Sequence, residues 1–147
     1  MKSILILLIV SLRLGAEDIK VYCIGWSESH SKGQTLHQTP REELEKIPAW
    51  DPADGQRAPL TREQAVGIAL KAAAAQGLSL SDDPRIVVSL EKIHPSYLTE
   101  TRDHPIRGCL WFYVVKVMGE AEKLPGENAF VVTMSGALCS RKIQQTR

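Results

Sequence analysis

The sequence predicts an α+β protein: one Ala-rich helix packed on a three- to four-stranded antiparallel sheet, preceded by an extended arm with a short helix. Three observations predict it. Thr61 to Gly77 joins a helix-start pattern to an Ala-dense stripe. Cys109 to Met118 (CLWFYVVKVM) is a near-continuous run of aromatic and β-branched residues, the composition of a covered strand. Residues 17–58 hold only 13 hydrophobic residues among 42, against 39 of 84 in residues 59–142, so the core is expected from the second stretch.

Met1 to Ala16 (MKSILILLIVSLRLGA) has a basic start, an apolar run from Ile4 to Val10 and a small-residue end, the three-part pattern of a secretory signal peptide. The expected cut lies between Ala16 and Glu17, although Leu14 is larger than the usual residue three before the cut. The run is short for a bilayer span. The product is therefore expected to be secreted or periplasmic, with no stable membrane span once the leader is gone.

The arm, residues 17–58, is expected to contribute little regular structure. Ile19 to Trp26 suits one short strand, and SESHSKGQTLHQ, polar and without period, reads as a loop. Thr39-Pro40-Arg41-Glu42 offers a cap and a Pro at the first helical position for a short helix reaching about Ile47. Pro48, Pro52, Gly55 and Pro59 then punctuate a linker.

In residues 59–142, Thr61 and Gln64 form a capping-box pattern ahead of Ala65 to Gln76, and Gly77 stands where a left-handed residue ends a helix. Val66, Ala69, Leu70 and Ala73 fall on one stripe, with Ala65, Ile68 and Ala72 alongside. Ile86 to Ile93 alternates as a half-buried strand, with Ile86, Val88 and Leu90 inward. His94 to Gly108 is a long loop, Ala129 to Thr133 (AFVVT) resumes the sheet, and Ser135-Gly136 marks a tight turn before a last strand over Ala137 to Lys142. Residues 143–147 are left as a tail.

LTREQAVGIALKAA, a Trp-led strand (Trp111, Tyr113, Val115, Val117) and FVVTMSGAL together resemble the PepSY domain family over about residues 59–142. The Asp usual before the last turn of that family is absent, and neither residues 17–58 nor the 94–108 loop are covered. The resemblance implies an exported, non-catalytic module; some relatives are propeptides that inhibit peptidases and assist their folding. It transfers no functional residue, because the shared pattern is mainly a core pattern.

The chemistry-bearing residues are few. If Gly119 and Ala129 face each other across a hairpin, Cys109 and Cys139 also face each other, and export permits a disulfide between them. Pairing through Cys23 and three reduced thiols are the alternatives. A Cys nucleophile needs a His base, and His30, His37, His94 and His104 stand in no local signature, so no catalytic residue is assigned. The same histidines, with Glu100 and Asp103, match no metal-site spacing and read as solvated loop residues; Asp82-Asp83 reads as a turn. No cofactor is expected.

The sheet face bearing Phe112, Val114 and Lys116 is the candidate partner surface, provided the arm does not cover it. Eighteen Lys+Arg against seventeen Asp+Glu leave no basic excess for nucleic acid. The expected partner is another exported protein, a peptidase among the candidates. A small-molecule or metal-binding accessory of the cell envelope, and a purely structural homodimer, are the competing classes.

Overall fold

A strand in mid-sheet must give its backbone groups partners on both edges, and two segments of this chain meet that condition. The computed structural model describes residues 18–28, 31–94, 97, 110–118, 126 and 128–146. Within them lie two antiparallel three-stranded sheets and one long helix, a mixed α+β fold made mostly of strand. The first sheet holds β1 (Asp18–Glu28), β2 (Ser31–Pro40) and β6 (Ser140–Thr146), with β2 in the middle. The second holds β3 (Arg85–Lys92), β4 (Trp111–Met118) and β5 (Ala129–Thr133), with β4 in the middle. Two helices intervene, α1 (Arg41–Glu45) and α2 (Arg62–Ala75). No helix among the described residues is long and apolar enough to cross a membrane.

The second sheet follows its sequence pattern closely. Ile86, Val88 and Leu90 stand opposite Val117, Val115 and Tyr113, so these six side chains share one face. From that face the Tyr113 hydroxyl donates to the Leu60 carbonyl, just ahead of α2, at 3.3 Å. Phe112 and Val114 point from the other face, which is why the whole run from Phe112 to Val115 is buried. Full burial of a Phe side chain contributes roughly 1.5–3 kcal/mol, and Phe112 is only 1% exposed.

Helix α2 starts as its sequence predicts. Thr61 Oγ1 accepts from the Gln64 amide and Gln64 Oε1 accepts from the Thr61 amide, closing both halves of the capping box. Ala65, Ala69 and Ala73, four residues apart on one face, are wholly buried and belong to the same core as Val115 and Val131. Their methyl groups let backbone approach closely where larger side chains would hold it off.

After β5 the chain reverses through Met134, Ser135 and Gly136. Gly136 takes φ 85°, a left-handed conformation that favours glycine, and its amide donates to Thr133 O. Residues 137–139 run back beside β5, with Cys139 N donating to Val131 O at 2.9 Å. At Ser140 the chain leaves this sheet and pairs with Gln38 of β2, so β6 closes the first sheet.

That crossing corrects several expectations. Residues 17–58 are not an arm: they supply two of three strands of a sheet, and Ile19, Val21, Leu44 and Ile47 share one core with Phe112 and Val115. The polar stretch read as a loop contains most of β2, whose Thr35, His37 and Thr39 are at most 1% exposed. The tail from residue 143 is most of β6. Thr39 does not cap α1, because it is a buried β2 residue paired with Ile19; the cap position is Pro40, without a side-chain bond. The leader, including Ala16 and Glu17, lies outside the described residues.

The two sheets meet through side chains. Tyr22 of β1 lies edge-on to Phe112 of β4, with ring centroids 5.8 Å apart. Gly126, ahead of β5, closes on that same face of the first sheet, at Ile24 and Thr35. Its φ is 81°, and a Cβ there would fall 2.9 Å from Ile24 Cδ1 and 3.4 Å from Thr35 Cβ. Gly67, inside α2, has nothing within 4 Å of the same added atom. Gly126→Ala is therefore expected to lower the unfolding free energy by about 1–3 kcal/mol, and Gly67→Ala to raise it by about 0.5–1 kcal/mol. Urea unfolding of both variants checks the pair; equal effects would show that the approach of Gly126 to β1 and β2 is not made.

Candidate functional site

The row across the first sheet is Tyr22, His37 and Arg141, one residue from each strand in direct register. Paired residues share a face, so all three point the same way. Tyr22 continues onto Phe112, which fixes that face as the one turned toward the second sheet. Tyr22 and His37 have ring centroids 6.0 Å apart.

Where the chain crosses between sheets the two layers leave a cavity of about 190 Å³. Its wall takes His37 from β2, Ala129 and Phe130 from β5, Gln76 from the C-terminal cap of α2, and Leu138 to Arg141 from the crossing itself. Arg141 Nη2 donates to Gln76 Oε1 at 3.1 Å, a bond that ties β6 to the end of α2. Ser140 Oγ donates to the Gln38 carbonyl at 3.2 Å.

Burial governs the electrostatics here. His37 is 1% exposed, and neither ring nitrogen has a hydrogen-bond partner. Removal from water, reinforced by the charge of Arg141, lowers its pKa from 6.5 to about 4, so the imidazole is neutral at pH 7. Burial alone pushes the Cys139 thiol up from 9.0 to about 12. A reactive pair would hold thiolate and imidazolium; this cavity favours thiol and imidazole. Its described wall can form hydrogen bonds and present one guanidinium.

The sequence-derived candidates fall in different places. Phe112 and Val114 are 1% exposed and Lys116 is half-buried; the first sheet covers the face proposed for a partner, as Tyr22 on Phe112 makes plain. The partner-surface assignment is corrected on that ground. Cys109 lies outside the described residues, and Cys139 is a free thiol. The register behind their bridge also differs: Ala129 faces Lys116 rather than Gly119, and Cys139 sits on the far side of β5 from β4. Cys23 is a second free thiol, with its Sγ 3.4 Å from Gln34 Oε1, itself part of the half-buried Gln34–Gln144 contact on the outer face.

His30, His104, Glu100 and Asp103 lie outside the described residues. His94 is exposed beside the Tyr97 ring, and Asp82 and Asp83 lie exposed in a bend. Among the described residues no three His, Cys, Asp or Glu side chains gather as a metal set. The sequence pattern placed His37 among solvated loop histidines, where the structure buries it, and gave no reason to single out Gln76 or Arg141. The alternation Thr35-x-His37-x-Thr39 held a signal for His37, being two β-branched residues at strand spacing around a histidine.

The buried imidazole gives stability a pH dependence of definite sign. The unfolded chain binds a proton at His37 below about pH 6.5, and the folded protein only below about 4. This contribution is complete above pH 6.5 and disappears as pH falls from 6.5 to 4, a loss of about 3 kcal/mol. Subtracting a His37→Leu titration from that of the unaltered protein, both by urea unfolding, is expected to isolate this slope; parallel curves would mean that His37 is solvated. Alkylation read by peptide mass spectrometry is expected to reach Cys139 only in denaturant.

No family model, no curated protein and no solved structure matches this chain.

Proposed function

We propose that this protein acts by binding and not by catalysis, as a secreted or periplasmic module resembling PepSY. Its partner is another exported protein, and a secreted peptidase that it inhibits or modulates is the partner the resemblance implies. The observation that carries the non-catalytic reading is the neutral state of the Cys139 thiol and the His37 imidazole in one cavity. The Ala-rich helix laid on one sheet is part of the same proposal. It is supported by the contacts of α2 with β3, β4 and β5, by the Trp111-led central strand and by the left-handed turn at Gly136.

With the Phe112 face covered, the surface left for such a partner includes the edge of β3. Among the described residues that strand stands at the end of its sheet, carries Val87 at 46% exposure, and presents backbone groups to which an extended segment can add. Saturable inhibition of a peptidase from the same secreted fraction by the purified full chain is the expected result, with cross-links mapping to Arg85–Lys92. Unchanged peptidase activity at every concentration, with no cross-linked partner, would overturn it.

A second reading, a small-molecule-binding accessory of the cell envelope, is favoured by the 190 Å³ cavity. Its expected sign is a small bound mass in native mass spectra of protein taken from its own host.

A further inference from the structure

The cavity wall is one-sided in its chemistry. Arg141 brings a guanidinium, and Gln76, whose Oε1 already accepts from Arg141, keeps its Nε2 as a donor. The neutral His37 carries one N–H, and the Cys139 thiol is a weak donor. Among the described residues no carboxylate lines the cavity. The remaining described lining is Ser140, whose Oγ donates to the Gln38 carbonyl, and the apolar Ala129, Phe130 and Leu138.

His37 is the second, independent observation. A buried polar group without a partner costs about 1–3 kcal/mol, and both ring nitrogens of His37 lack one at 1% exposure. A ligand oxygen placed in the cavity would satisfy its N–H. Size narrows the choice further. The 190 Å³ available is somewhat more than the roughly 150 Å³ that takes a benzene, and less than the roughly 300–1,000 Å³ of pockets for larger ligands.

We infer that this cavity binds a small monocarboxylate with a short apolar tail, its carboxylate held by Arg141 and the N–H of His37 and its tail lying on Phe130 and Leu138. The inference rests on the second reading above and names the ligand class for it. The guanidinium matches two carboxylate oxygens, the imidazole supplies direction, and the apolar wall selects against free inorganic anions.

Titration of the full chain with butyrate, butyramide and inorganic phosphate, followed through the His37 imidazole resonances at pH 7, tests it. Butyrate is expected to shift them saturably, while butyramide and phosphate do not. Arg141→Gln should weaken butyrate by about tenfold or more, and Arg141→Lys by less, both with an unchanged circular dichroism spectrum. Arg141 is half-buried rather than core, so these variants keep the fold testable. Butyramide acting as well as butyrate would overturn the carboxylate assignment and leave the small-molecule reading standing. Phosphate acting as well as butyrate would overturn the role of the apolar tail. No shift with any probe would overturn both the inference and the reading beneath it.

Discussion

The pairing of β2 on both of its edges is the constraint on which the fold rests. This strand carries one aliphatic residue, Leu36, among Ser, Lys, Gly, Gln, Thr and His, and has too little apolar surface to drive its own burial. Its backbone is satisfied by β1 on one side and β6 on the other, over the registers Asp18↔Pro40 to Glu28↔Ser31 and Lys32↔Thr146 to Gln38↔Ser140. The strands that hold it come from the two ends of the described chain. One edge is therefore settled by a local hairpin with β1 and the other by a strand far away in sequence, and the buried Thr35, His37 and Thr39 are carried inward by that pairing.

From this follow the cover over the second sheet and the cavity. With β2 fixed, β1 turns Tyr22 onto Phe112, and the face of β4 that would otherwise be open becomes interior. To reach β2, the chain has to leave β5 at Cys139 and enter the other sheet at Ser140. Strands change sheets at bends, and the cavity lies at this corner with His37 on one wall and Cys139 on another. The same burial that places these groups together suppresses their charged forms.

The sequence made local structure legible and non-local structure much less so. Helix α2 was readable to within a residue or two because a capping box, alanines and Gly77 all act within a few positions. Strands β4 and β5 were readable because their composition is that of covered sheet, and β3 because its apolar residues alternate along a half-buried strand. Strand β2 was not, since its polarity matches that of a loop and one of its two edges is held by β6, at the far end of the described chain. The hairpin register slipped by three positions because the connection between β4 and β5 was judged too short: Lys116, not Gly119, faces Ala129. The candidate site was correspondingly hidden. Of its chemistry-bearing residues only Cys139 and His37 were considered, one as half of a bridge and the other as a solvated histidine. Both readings depended on leaving residues 17–58 outside the core.

Native-state hydrogen exchange compares the two central strands directly. If β2 is held on both edges and shares one core with the second sheet, amides of Thr35 to Thr39 and of Val114 to Val117 exchange with similar free energies, near that of global unfolding. Rapid exchange throughout β2 beside a protected β4 would contradict this, returning residues 17–58 to the status of an arm and leaving the cavity without one of its walls.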